Sequence, residues 1–255
     1  MKIIFDKRLA DKYHSMSQKI KVMSEGWVDD EIYCPNCGTN VNHYENNRPV
    51  ADFFCFKCKE EYELKSKKDS IGNIIVDGAY RTMIERLKSS NNPNFFLLNY
   101  DLRNFSILNF LVIPKHFFIP DIIERRKPLS RKARRVGWIG CNILLQSIPQ
   151  TGKIFYIKNG KIESKNKVLE NWQKTLFLRE EKEISAKGWI LDIMNCIEKL
   201  GNKEFSLNDI YVFENILNKK HPENKHVKDK IRQKLQVLRD NGYLEFIKRG
   251  RYRLV

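Results

Sequence analysis

The apolar positions of the chain change their period along its length, and those changes divide it into blocks. Between residues 7 and 25, Leu9, Tyr13, Met16, Ile20 and Met23 recur every three or four residues among charges, which predicts an amphipathic helix. A Cys- and Asn-rich segment follows to about residue 49. Residues 50–56 and 62–67 read as strands joined by a turn at 55–58, a hairpin. Asp77 is placed as the N-cap of a helix running to about Lys88, which the following Ser-Ser-Asn-Asn-Pro ends. Residues 94–100 and 107–113 are dense in Phe, Leu and Val and predict buried strands. Beyond Pro114 the chain turns basic and loop-like, with one more strand at 153–158 that turns at Asn159-Gly160. This order of helices and strands predicts an α/β or α+β domain built on a mixed sheet.

The charged connector at residues 180–183, Glu-Glu-Lys-Glu, is the expected boundary between a domain of residues 1–183 and one of 184–255. In the second, Trp189, Ile190, Ile193, Met194, Ile197 and Leu200 form a helical stripe. Ser206 with Asp209 resembles a capping box and opens a second helix over 207–217. A third, over 226–240, carries Val227, Ile231, Leu235 and Leu238 and stops at Asn241-Gly242. Residues 243–247 and 252–255 then flank Lys248-Arg249-Gly250-Arg251, a hairpin with a basic tip. Three helices and a terminal hairpin define a winged helix.

Composition narrows the function. With 42% hydrophobic and 11% aromatic residues the chain can form a core, which argues against disorder. No apolar run approaches the roughly 18 residues of a membrane span, and the N-terminus is too charged for a signal peptide. The expectation is an intracellular, cytoplasmic protein, monomeric in solution. Lys and Arg number 47 against 31 Asp and Glu, a net charge of +16, and the excess is clustered. Residues 125–135 hold Arg125, Arg126, Lys127, Arg131, Lys132, Arg134 and Arg135 with no acid. A clustered excess of this kind attracts polyanions, so nucleic acid is the expected partner. No helix with a pure Lys/Arg face supports the competing reading, a membrane surface.

Four of the six cysteines fall in two Cys-x-x-Cys pairs, Cys34/Cys37 and Cys55/Cys58, with 17 residues between the pairs. Each pair turns two thiolates toward one ion, and two pairs close a tetrahedron without an open position, so a structural Zn²⁺ is expected. A redox dithiol would need only one pair. Cys141 and Cys196 stand in apolar surroundings and read as small buried hydrophobes.

Asp52 is followed, after ten residues, by Glu63-Leu64-Lys65. On a strand Glu63 and Lys65 share a face, and Asp52 on the neighbouring strand can reach it. Two carboxylates there can hold Mg²⁺, a hard cation that takes oxygen ligands. Lys65 is placed to orient or deprotonate a water, or to neutralise charge developing on a phosphate. Acids and lysines also alternate on ordinary solvated strands, so the pattern gains its meaning from the strand-turn-strand context and the basic C-terminal module.

This arrangement resembles the PD-(D/E)xK nuclease core, with one departure: Pro49 does not directly precede Asp52. The resemblance extends further. Segments 33–38 (Tyr-Cys-Pro-Asn-Cys-Gly), 45–53, 63–68, 77–80 (Asp-Gly-Ala-Tyr), 91–96, 137–142 (Gly-Trp-Ile-Gly-Cys-Asn) and 230–240 closely resemble the DpnI-type family of methyl-directed restriction endonucleases, and they span both domains. The resemblance implies cleavage of double-stranded DNA at GATC sites whose adenine carries an N6-methyl group. It gives Asp52, Glu63 and Lys65 the catalytic roles, and Asp52 and Glu63 the Mg²⁺.

Trp138 lies between Gly137 and Gly140 just after the basic run; core packing is the ordinary fate of such a Trp, and contact with the methylated adenine is the reading the resemblance favours. Arg131, Arg134 and Arg135 of that run are expected on DNA. On the third helix or just before it, Gln233 or Asn224 suits an adenine edge and Arg232 or Arg239 a guanine, with His226 near the helix start. Lys225, Lys228, Lys248, Arg249 and Arg251 suit phosphates. A non-catalytic zinc-ribbon and winged-helix DNA-binding regulator is the alternative, and it leaves the Glu63/Lys65 spacing unexplained. A third reading is cleavage of GATC regardless of methylation.

Overall fold

The computed structural model describes residues 1–45, 51–89 and 92–255. The chain forms two compact units, Met1–Gln146 with Thr151–Thr175, and Ser147–Gln150 with Leu176–Val255. Among the described residues no helix is long and apolar enough to cross a membrane.

The first unit opens with α1 (Met16–Glu31), which buries Ile20, Met23, Trp27 and Val28. The stripe read over 7–25 therefore starts later and runs further than expected. Lys7–Ala10 form a separate 3₁₀ turn, capped by Asp6, whose carboxylate accepts the Arg8 N–H. Ser15 holds extended backbone (φ −74°, ψ 131°), and the helix begins only after it. Then come β1 (Asn42–His43), β2 (Phe53–Phe54), β3 (Glu61–Lys68) and β4 (Ile74–Ala79). The strand expected over 50–56 shrinks to β2, because Cys55 already starts a tight turn; Arg48, Pro49 and Val50 lie outside the described residues.

Asp77 does not cap a helix. It sits within β4, and α2 (Tyr80–Lys88) starts after Ala79 at the N-cap. The reason is that the Asp77 carboxylate is taken by a lysine on β3, as described below. Next are β5 (Asn94–Asp101), β6 (Ser106–Ile113), β7 (Ile123–Arg125), β8 (Gly140–Leu144), β9 (Ile154–Lys158), β10 (Lys161–Ile162) and α3 (Lys165–Gln173). The stretch past Pro114, expected as loop, thus contributes two strands, and α3 was not anticipated at all.

The main sheet is mixed and seven-stranded, in the order β1-β2-β3-β5-β6-β9-β10. Among the described residues only β3 and β5 run parallel, in register from Tyr62↔Asn94 to Lys68↔Tyr100, because the chain crosses over through β4 and α2 between them. On β5, Phe95, Phe96, Leu97 and Leu98 are all buried, as expected of a strand covered on both faces. Tyr62 stacks on Phe96 at 4.3 Å, and Trp27 of α1 meets Phe110 edge-on at 5.0 Å. A second sheet, β4-β8-β7, is antiparallel and backed by Met83 and Leu87 of α2. Cys141 is buried on β8, as its apolar setting implied.

The second unit holds α4 (Phe177–Glu180), α5 (Ile184–Leu200), β11 (Glu204–Ser206), α6 (Leu207–Tyr211), α7 (Glu214–Lys220), α8 (Val227–Asp240), β12 (Leu244–Lys248) and β13 (Arg251–Leu254). Its sheet runs β11-β13-β12, so β11, unforeseen, closes the wing hairpin on its outer side. The capping box is present: the Ser206 hydroxyl accepts the Asp209 N–H and the Asp209 carboxylate accepts the Ser206 N–H. The helix it opens is not continuous to 217. It breaks into α6 and α7 where the Phe213 N–H bonds to Ile210 O, a tighter turn that lets both Ile210 and Leu217 reach the core. Cys196 is buried on α5.

Candidate active site and cysteine cluster

The two Cys-x-x-Cys turns have matching backbones. In the first, Cys34 N–H donates to Thr39 O and Gly38 N–H to Cys34 O, both at 2.8 Å; in the second, Cys55 N–H donates to Glu60 O at 2.8 Å and Lys59 N–H to Cys55 O at 2.9 Å. The residue after each second cysteine is left-handed, Gly38 at φ 74° and Lys59 at φ 61°. The four sulfurs consequently converge, all within 4.8 Å of one another, with Cys34···Cys58 and Cys37···Cys55 each at 3.4 Å. None is in a disulfide. This group can hold a metal ion. Trp172 of α3 braces it from behind, its indole N–H donating to Asn36 Oδ1 at 3.1 Å.

The same hairpin carries the acidic cluster on its other side. Asp52 is fixed to β3 twice: its N–H donates to Tyr62 O at 2.9 Å, and its Oδ2 accepts the Leu64 N–H at 2.7 Å. Glu63 and Lys65 project from one face of β3, with Lys65 Nζ 2.5 Å from Glu63 Oε1. Lys65 Nζ also reaches Asp77 Oδ1 on β4, at 2.6 Å. Burial pushes the Glu63 carboxyl above its ordinary range, against the pull of Lys65. Burial would lower the Lys65 ammonium, but Glu63 and Asp77 outweigh it and hold it above. Among the described residues, Glu63 Oε2 is buried without a hydrogen-bond partner. A buried, unsatisfied carboxylate oxygen in a cleft shared with the Asp77 carboxylate is a donor of the kind a hard divalent cation takes.

A cleft of about 300 Å³ opens onto Glu63, Lys65 and Asp77, closed on one side by Thr82, Met83 and Arg86 of α2. Asp77 is the residue that sequence reasoning missed here. The available signal was its alternation with Ile75 on a six-residue segment, masked by an aspartate's frequent use as a helix cap.

The basic run forms a long loop between β7 and β8. Arg126 N–H donates to Gly140 O, Leu129 N–H to Trp138 O and Gly137 N–H to Leu129 O, at 2.9–3.1 Å, so the strands continue as a ribbon toward the tip. Arg131, Arg134 and Arg135 are exposed there. Trp138 is half-buried: its ring lies across Gly140, and the Arg135 guanidinium sits 4.6 Å from the ring centre. The root of the ribbon is one register step from the cluster, since Cys141 pairs with both Arg125 and Asp77.

In the second unit the residues expected on DNA around α8 and the segment before it fall into two groups. Asn224, Lys225, His226 and Gln233 line a cleft of about 630 Å³ at the helix start. Arg232 and Arg239 line another, of about 840 Å³, with Lys248, Arg249 and Arg251 of the wing. Gln236, between the two arginines at helical spacing, was overlooked. Lys228 lies outside both, paired with Glu214 at 3.3 Å, and Arg232 Nε donates to the Tyr211 hydroxyl at 2.6 Å.

A mixed-sheet unit with a four-cysteine cluster, followed by a helix-turn-helix unit with a basic wing, defines the class of protein. The profile of the DpnI, or Dam-replacing, family matches residues 1–181, and that of the Dam-replacing helix-turn-helix domain matches residues 185–254. The chain belongs to the Dam-replacing family.

Proposed function

We propose that the chain is a divalent-cation-dependent endonuclease that cuts double-stranded DNA at GATC sites carrying N6-methyladenine. The observation that carries the nuclease reading is Glu63, which pairs with Lys65 through Oε1 and keeps Oε2 buried and, among the described residues, without a partner, on the strand to which Asp52 is pinned at Leu64. The methyl and sequence preferences are drawn from membership in the Dam-replacing family.

Asp52 and Glu63 would hold Mg²⁺, which when bound draws charge from a scissile phosphate and acidifies water. Lys65 supplies a fixed ammonium where negative charge develops during attack. The cysteine cluster takes Zn²⁺ in a purely structural role, because four thiolates leave it no open position. The basic ribbon bearing Arg131, Arg134 and Arg135 engages phosphates, and Trp138 offers an apolar wall to the adenine methyl. On the winged helix, Arg232, Gln233, Arg239 and Asn224 are assigned to base edges. Lys225, Lys228, Lys248, Arg249 and Arg251 are assigned to phosphates, with His226 at the helix start.

The test is digestion of one plasmid prepared with and without adenine-methylated GATC, in Mg²⁺ and in EDTA. Cutting of the methylated plasmid alone, and only in Mg²⁺, is the expected result. Cutting of both discards methyl sensing, and tight binding with no cutting of either discards the nuclease in favour of a DNA-binding regulator.

A further inference from the structure

The segment Asp77-Gly78-Ala79-Tyr80 joins the second sheet to α2, and its acid lies in the cleft beside the catalytic strand. Pairing with β8 places Asp77 opposite Cys141, and an irregularity in register before Ala79↔Gly140 turns the chain into α2. The Tyr80 N–H then donates to Ile139 O at 3.1 Å, which fixes that turn. The Asp77 side chain is 6% exposed, and its Oδ1 lies 2.6 Å from Lys65 Nζ. The Lys65 ammonium is thus held between carboxylates from two different sheets.

The arrangement solves a conflict within the site. Glu63 Oε1 is 2.5 Å from the ammonium, yet Glu63 is also the carboxylate that offers a cation its free oxygen. A divalent cation and an ammonium on one carboxylate repel each other. Without a second anchor, Lys65 would either compete with the cation for Glu63 or swing away when the cation binds. Asp77 supplies that anchor on the far side. It also sets the charge: Asp52, Glu63 and Asp77 with Lys65 sum to −2, which one divalent cation neutralises.

We propose that Asp77 is a positioning residue of this centre, holding the Lys65 ammonium in the cleft while a divalent cation occupies Glu63. The inference rests on the nuclease reading above. It separates Asp77 from a cation ligand: Asp77 acts through Lys65, so its loss matters only while Lys65 is present.

The experiment measures Mn²⁺ binding to the full chain by electron paramagnetic resonance. Asp77→Asn is expected to weaken Mn²⁺ binding about tenfold and to slow cleavage of methylated duplex by about 10–100-fold. Adding Lys65→Ala to Asp77→Asn removes the competing ammonium and is expected to return Mn²⁺ affinity to within about threefold of the parent, a non-additive result. Asp77→Glu keeps the charge and should bind Mn²⁺ as the parent does. Parent-like Mn²⁺ binding by Asp77→Asn overturns the inference, as does a double variant that stays weak. Equal losses in Asp77→Glu and Asp77→Asn would mark Asp77 as structural and overturn it too. A parent that binds no Mn²⁺ and cuts no DNA removes the nuclease reading itself, a different result from an active parent matched by Asp77→Asn.

Discussion

The Tyr62 hydroxyl lies 3.1 Å from the Cys34 sulfur. Tyr62 is fully buried, and burial together with the neighbouring Cys34 pushes its phenol well above the ordinary range, so it keeps the proton it can donate. The next residue on β3, Glu63, faces the other side of the sheet, toward the acidic cluster. One strand therefore touches the cysteine cluster with one residue and the cleft shared with Lys65 and Asp77 with the next.

A hydrogen bond to a metal-bound thiolate steadies it and tunes its basicity. Tyr62→Phe removes that donor and keeps the stacked ring. The variant is expected to bind one metal ion per chain, yet to release it to a chelator about tenfold faster. A cobalt-loaded sample should show a shifted sulfur-to-metal absorption. Release at the parent's rate, with an unmoved band, would mean that the contact has no bearing on the metal.

The matched left-handed positions of the two cysteine turns give opposite predictions. Lys59 adopts φ 61°, which costs a side-chain-bearing residue about 1–2 kcal/mol, whereas Gly38 at φ 74° adopts it freely. Lys59→Gly is expected to stabilise the metal-bound first unit by about 0.5–1 kcal/mol, after the entropy that glycine adds to the unfolded chain. Gly38→Ala should destabilise it, since the new Cβ would also lie 3.0 Å from Lys165 Cε. Thermal unfolding of the two variants beside the parent checks the sign of each.

Those two turns also show what the sequence made legible and what it did not. Cysteine spacing announced the cluster, because metal ligation needs few residues at fixed local distances. Strand alternation likewise announced Glu63 and Lys65 on one face, and the helical stripes announced α5 and α8. Asp77 was misassigned because its partner, Lys65, lies on another strand and no local pattern encodes that meeting. β7 and β8 were missed for a related reason. They form a sheet only with β4, so their pairing is non-local, and the basic run between them outweighed the short β8, with Cys141, Ile143 and Leu144 as its apolar residues. β11 is three residues long, too short for any period to register.

In the second unit, Asp192 on α5 accepts from His221 Nε2 at 2.9 Å and pairs with Lys220, while His221 stacks on Trp189 at 4.0 Å. Burial would raise the Asp192 carboxyl, but the bonds from His221 and Lys220 outweigh it and hold it below its ordinary value of 3.8. A depressed carboxylate contributes stability that is complete above its unfolded pKa and lost as pH falls through the folded one. Asp192→Asn is thus expected to cost about 2 kcal/mol at neutral pH. The gap between variant and parent should close as pH falls below the ordinary aspartate value of 3.8 and through the lower folded one. A gap of constant size down to acid pH would point to packing and not to charge.

Asp52 and Lys65 are held by backbone and side-chain contacts of the first unit, and neither belongs to the exposed basic residues expected on phosphates. Asp52→Ala and Lys65→Ala are each expected to slow cleavage by at least about 10²-fold, the scale of losing a preorganised charge. Binding of methylated duplex in EDTA should stay within about threefold of the parent, because the phosphate-contacting cations are untouched. Binding that falls in step with cleavage would reassign both residues to structure.

Gly140 fixes where the Trp138 ring lies: a Cβ at that position would stand 2.9 Å from two atoms of the indole. Backbone that close cannot give way, since Gly140 is paired with Ala79 in the second sheet. Gly140→Ala must therefore turn the ring outward, and it tests Trp138 without deleting it. Burying one methyl group is worth about 0.8 kcal/mol, close to a factor of four in binding or rate. If Trp138 senses the adenine methyl by packing alone, Trp138→Ala should reduce the preference for methylated over unmethylated GATC by about fourfold for each methyl it touches. Gly140→Ala should produce a similar loss, while both variants cut the methylated site with unchanged Mg²⁺ dependence. A preference that survives both substitutions would take methyl sensing away from the ribbon and leave it to the winged helix.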